Sequence, residues 1–144
     1  MKNNLLIKIF IILFLFTQTT YSKDNKYLDK GIKHFNNNNL EKSKIFFERD
    51  LVFNPKSEKS YLYLAKIFMK EKNEEEQKIN LENVLLLNPK NDEAIYMLTM
   101  IMLEQSDYDK AKKLINEFNL VCKSFCSKKE EMESKFNKLS PKNE

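Results

Sequence analysis

An all-α solenoid is the fold class this sequence predicts, built of three helix-turn-helix repeats and a C-terminal capping helix. Three observations carry the prediction. VFNPKSEKSYLYLAK at 52–66 is echoed by LLNPKNDEAIYMLTM at 86–100, which places Pro55 and Pro89 34 residues apart. The chemistry agrees at that interval in many further positions between 24 and 123, and self-similarity at such a period marks a helical repeat array. Beyond the repeats, Met132, Phe136 and Leu139 form one apolar stripe at helical spacing.

The N-terminal segment stands apart from this pattern. MKNNLLIKIFIILFLFTQTTYSKD has a basic start at Lys2, an apolar run from Leu5 to Phe16 broken by Lys8, and a polar stretch ending in Ser22. That is the layout of a secretory signal peptide, with Thr20 and Ser22 placed for cleavage after residue 22. The run is shorter than the ~20 residues needed to span a bilayer. No Cys follows it closely, so a lipoprotein anchor is not indicated. An uncleaved segment, holding the protein at the inner membrane, is the alternative.

Units are expected at about 24–57, 58–91 and 92–125. Tyr27, Tyr61 and Ile95 share a column, as do Phe47, Leu81 and Ile115, and Phe53, Leu87 and Val121. Gly31, Ala65 and Thr99 are small, which lets the first helix of a unit approach the second. Asn39, Asn73 and Asp107 sit where second helices begin, and their side-chain oxygens suit the free N–H groups there. Glu76, three residues after Asn73, makes a box-like arrangement. Pro55 and Pro89 end the second helices, because Pro disfavours helical geometry in the residue before it. Ser57 and Asn91 are expected to cap the next first helices, with Glu58 or Asp92 and Glu93 at the positive end of the dipole.

The tract NNNN at 36–39 therefore reads as a tight turn rather than low-complexity disorder. Asn tolerates left-handed backbone, and the last Asn is the cap.

With these columns in place, the chain resembles the tetratricopeptide repeat family. Its pattern of aromatic, Leu, small, aromatic, Ala and Pro residues is matched at Tyr27, Gly31, Ser43, Phe47 and Pro55 in unit one. In unit two it is matched at Tyr61, Leu64, Ala65, Phe68, Leu81 and Pro89, and in unit three at Leu98, Tyr108 and Ala111. Lys30, His34, Gln77 and Lys123 depart from it.

The last segment, 127–139, is the expected capping helix, with Ser127 and Glu130 spaced as a capping box and a polar outer face closing the stack. Residues 140–144 are expected to be a disordered tail.

Cys122 and Cys126 are the only cysteines. In an exported protein a pair is more often bridged than free, and a bridge here would staple the capping helix to the last repeat. A redox-active pair is set against the absence of a Cys-x-x-Cys spacing and a βαβ context. A metal site is set against the lack of further ligands nearby.

Other chemistry finds little support. His34, the sole His, falls in a packing column, and one Gly excludes a Gly-rich phosphate loop. No catalytic residue, cofactor or metal site is expected. The formal charge is +4, of which Lys2 and Lys8 account for two. The rest is interleaved Lys and Glu, as on a solvated helical surface. No basic stripe with aromatics points to nucleic acid.

The resemblance implies a concave face lined by the first helix of each unit. The corresponding positions are Leu28, Ile32 and Phe35, then Leu62, Lys66 and Met69, then Tyr96, Met100 and Leu103. All but Lys66 are apolar, so capture of a C-terminal carboxylate is not favoured, whereas an amphipathic helix or apolar peptide is. Packing between repeats is the competing use of the same residues. Lys59, Lys66 and Lys70 against Glu93 and Glu104 are expected to steer charged partners. The overall expectation is an exported, periplasmic or secreted, non-catalytic adaptor for a protein or peptide partner. The rival readings are a membrane-tethered subunit of an envelope complex and a thiol-active factor.

Overall fold

A computed structural model describes residues 25–141. The expected leader at 1–22 and the tail beyond Pro141 lie outside the described residues. Among the described residues seven α-helices follow one another: α1 (Lys26–Asn36), α2 (Leu40–Phe53), α3 (Glu58–Glu71), α4 (Glu74–Leu87), α5 (Asp92–Glu104), α6 (Tyr108–Val121) and α7 (Lys129–Leu139). A 3-10 turn, Cys126–Lys128, precedes α7. Each helix packs on its neighbours in order, α1 with α2, α2 with α3 and so on, and α7 lies on both α5 and α6. Short turns between antiparallel helices leave this stacking as the way to bury the apolar columns.

The three turns inside the helix pairs are copies of one another. Asn38, Lys72 and Ser106 take left-handed backbone, with φ of 55°, 58° and 60°. The next residue's N–H in each turn reaches five residues back: Asn39 to His34 O, Asn73 to Phe68 O and Asp107 to Met102 O, all at 2.9 Å. This is the Schellman closure, which satisfies carbonyls left over at a helix end. The same three residues then cap the following helix. Asn39 accepts from Lys42 N at 3.2 Å, Asn73 from Glu76 N at 3.2 Å and Asp107 from Lys110 N at 3.1 Å.

Between units the two turns differ. Asn91 Oδ1 accepts from Ala94 N at 2.8 Å, so Asn91 caps α5. Ser57 makes no cap hydrogen bond to α3, contrary to the expectation. Its hydroxyl is buried and lies 3.1 Å from Ser60 Oγ, which in turn donates to Asp50 Oδ2 at 2.6 Å. Asp50 is fully buried at a position where the later units carry Val84 and Phe118. The carboxylate recruits the two hydroxyls and draws Ser57 away from the helix end.

The small column works sterically at its first member. A Cβ on Gly31 would sit 2.5 Å from Cε1 of Phe47, and Ser43 Oγ donates to Gly31 O at 2.8 Å. Two apolar clusters result. Leu28, Phe47, Leu64, Ile67 and Phe68 fill the first. Ala65, Leu81, Val84, Ile95 and Leu98 run into Ile115, Phe118 and Met132 in the second.

The closing helix is entered differently from the expectation. Ser127 lies in the 3-10 turn, α7 starts at Lys129, and no side chain caps it. The turn is closed by Lys128 N donating to Phe125 O at 2.8 Å. Of the predicted stripe, Met132 is fully buried, Phe136 half-buried and Leu139 exposed.

Candidate functional site

The inner face is carried by α1, α3 and α5, and the nine residues singled out in the sequence do not all reach it. Leu28 and Leu103 are buried, at 7% and 2% exposure. Leu28 packs with Phe47 and Leu64, and Leu103 belongs to the cluster that Met132 completes, so both serve the core. Ile32, Phe35, Leu62, Lys66, Tyr96 and Met100 are half-buried, while Met69 is 48% exposed.

Met69, Tyr96 and Met100 converge on one cleft of about 220 Å³, completed by Gln77, Met97, Ile101 and Glu104. Gln77 was visible in the sequence only as a departure, a long side chain where units one and three have Ser43 and Ala111. Its side chain reaches the cleft from α4, between Met69 of α3 and the α5 residues. Met97 and Ile101 lie largely in the core and only floor the cleft.

The other half of the face is aromatic and cationic. Phe35 meets Tyr63 edge-on with centroids 5.1 Å apart. Lys70 Nζ stands 5.0 Å over Phe35, and Lys66 Nζ 5.2 Å over Tyr63. Such contacts hold long side chains against the rings. Lys66 is also paired with Glu93, Nζ to Oε1 2.9 Å. Glu104 is paired with Lys135 of α7 at 3.0 Å. The expected steering by Lys66 against Glu93 and Glu104 is therefore largely cancelled within the molecule, leaving Lys59 and Lys70 without a carboxylate partner among the described residues.

Helix α7 forms the end wall. Tyr96 Oη donates to Glu131 Oε1 at 2.8 Å, and Lys128 Nζ donates to Glu131 Oε2 at 2.7 Å. Burial and the Glu131 carboxylate push the Tyr96 phenol above its ordinary value. The Lys128 ammonium, followed by the Tyr96 hydroxyl, holds Glu131 below the ordinary carboxylate range. Tyr96 also packs on Phe125 at 5.9 Å.

Cys122 and Cys126 are joined in a disulfide with Cα atoms 5.3 Å apart. The loop they close turns three consecutive N–H groups towards one carboxylate oxygen. Asp92 Oδ2 accepts from Lys123 N at 2.7 Å, Ser124 N at 2.6 Å and Phe125 N at 2.9 Å. Burial raises the Asp92 pKa, but the converging backbone donors outweigh it and hold the carboxyl below its ordinary value. Sequence reasoning placed Asp92 only as a dipole partner of α5. The disulfide loop thus acts as a backbone anion nest that ties α7's approach to the start of α5.

His34 stacks on Phe46, with centroids 5.2 Å apart and planes 6° from parallel. It packs α1 on α2. Among the described residues no group of three or more His, Cys, Asp or Glu side chains is placed to hold a metal ion.

No protein-family model matches the chain, and no curated protein matches it. Solved structures do. A tetratricopeptide repeat domain of Sgt2 from Aspergillus fumigatus is similar with a TM-score of 0.66 at 16% identity, covering 87% of this chain and 88% of that one. A chain of the CopN–Scc3 complex is similar with a TM-score of 0.64 at 15% identity, covering 83% of this chain and 72% of that one. The fold is therefore tetratricopeptide-like, an all-α solenoid of helical repeats.

Proposed function

We propose that this chain is a non-catalytic adaptor that holds an apolar peptide or the apolar face of a helix from a protein partner along its inner groove. The observation that carries the reading is the cleft where Met69, Tyr96 and Met100 converge. Two Met side chains on an accessible wall can re-pack around different apolar groups, and a groove between helices suits an inserted amphipathic segment. The Tyr96–Glu131–Lys128 cluster closes one end and supplies polar groups at the rim. One of the similar structures is a chain within a two-protein complex, which fits this class of role.

An exported location, periplasmic or secreted, is supported by the leader-like segment at 1–22 and by a cysteine pair bridged as in an oxidising compartment. Replacing Met69 and Met100 together by Ser tests the groove. Partner capture in the native host should fall at least tenfold, with the melting temperature changed little, because Met69 is exposed and Met100 only half-buried. A large loss of stability with capture per folded molecule unchanged would assign these residues to packing instead.

A further inference from the structure

The antiparallel pairs place every first-helix start and every second-helix end on one edge of the solenoid. Pocket lining and hydrogen bonds join successive turns along that edge. Asn25 lines a shallow pocket with Lys56, Ser57 and Lys59. Glu58 Oε1 accepts from Asn88 and Asn91, and Asp92 accepts from Lys123, Ser124 and Phe125. This edge carries an apolar feature that the core does not use. Val52, Leu86 and Leu120, 34 residues apart in turn, are 77%, 80% and 86% exposed. A Lys follows each within four residues: Lys56, Lys90 and Lys123. All three are exposed and make no ion pair among the described residues. Of the acidic side chains of the same turns, Glu58 and Asp92 are occupied by the hydrogen bonds above and Glu93 is paired with Lys66.

We propose that this edge docks on the surface of an anionic lipid bilayer, independently of what the groove holds. The aliphatic side chains are spaced singly, one per repeat, and alternate with lysines. A protein interface needs a contiguous apolar centre, whereas a headgroup layer accepts isolated aliphatic groups between cations. Lysine stems can lie along the acyl boundary with the ammonium at the phosphates. Each Lys near an anionic surface adds to the attraction. The chain outside the described residues agrees with this orientation. Its 24 preceding residues, with the apolar run from Leu5 to Phe16, join the folded part at Asn25, on this same edge. In the uncleaved alternative, a bilayer entered by that run would meet Val52, Leu86 and Leu120 first. The opposite edge, at Asn38, Lys72 and Ser106, presents polar turns.

The test reads depth in the full chain, reconstituted into phosphatidylcholine vesicles with and without phosphatidylglycerol. Leu86→Cys or Ser106→Cys carries a nitrobenzoxadiazole label, with the native disulfide kept oxidised. With phosphatidylglycerol present, the label at 86 should shift to the blue and be quenched several-fold more by doxyl lipids than the label at 106. Removing the anionic lipid, or combining Lys56→Gln, Lys90→Gln and Lys123→Gln, should reduce that quenching at least twofold. Equal quenching at both edges, or none at 86, overturns the proposal, since a flexible tether would give the first. Quenching that ignores anionic lipid overturns it too. A blue shift at 86 that grows with protein concentration in the absence of vesicles would assign the edge to a second copy of the chain.

Discussion

Gly31 lies so close to Phe47 that a single added carbon would meet the ring at 2.5 Å from Cε1 and 2.6 Å from Cδ1. The ring cannot yield easily, because its other face is stacked on Tyr63 with centroids 4.9 Å apart. Gly31→Ala should therefore destabilise the protein by about 1–3 kcal/mol, the usual range for overpacking. The gain in helix propensity of about 1 kcal/mol on leaving Gly offsets part of it. Urea unfolding measures the balance, and an unchanged or raised midpoint would show that the ring moves aside.

Asp50 and Ser60 form a second such pair, and here the repeats supply the replacement. Ser60→Ala leaves a buried carboxylate without its 2.6 Å donor and should cost about 1–3 kcal/mol. The later units carry Val84 and Ala94 in these columns, both fully buried. Combining Asp50→Val with Ser60→Ala should restore at least the original stability, as when a buried polar pair is replaced by packed apolar groups. A double variant worse than both singles would contradict this.

The Asp92 carboxyl titrates below its ordinary value when folded, so its stabilising effect is present above the unfolded value. That effect is lost as pH falls through the folded one. The stability difference between the parent and Asp92→Asn should be constant above about pH 5 and shrink at lower pH. Unfolding midpoints across a pH series read this directly, and a difference independent of pH would remove the charge from the account.

Cys122→Ser with Cys126→Ser opens the loop whose backbone holds Asp92. By loop-closure entropy the bridge contributes at most about 2 kcal/mol. Amide exchange should rise in 122–139 and stay unchanged in α1 to α4, because α7 packs chiefly on α5, α6 and the 3-10 turn. Uniform acceleration along the chain would show that the bridge supports the whole array.

What the sequence made legible was the periodic part. Asn39, Asn73 and Asp107 cap as their column implies, because a cap depends on one short side chain and the next turn of helix. Ser57 had the same local pattern and failed, because its hydroxyl goes to Ser60, which is itself held by the buried Asp50 ten residues before it, and the burial of that carboxylate is not written in the local pattern. Ser127 and Glu130 had the spacing of a capping box, but the disulfide loop and its 3-10 turn set where α7 begins. Leu28 and Leu103 had the register of the inner face. They are buried because Leu28 packs with Phe47 and Leu64, and Leu103 joins the cluster that Met132 completes. Asp92 was read as a helix-dipole partner, and its three backbone donors come from 31–33 residues further on.

The groove is the centre of the account, and cross-linking from Met100 tests it most directly. A photoreactive side chain at Met100, with one at Ile79 on the exposed face of α4 as its counterpart, is expressed in the native host, and adducts are identified by mass spectrometry. One dominant protein is expected at Met100, captured through an apolar segment and absent at Ile79, with the adduct lost when Met69 is replaced by Ser. Matching adduct patterns at the two positions, or none at Met100, would contradict it.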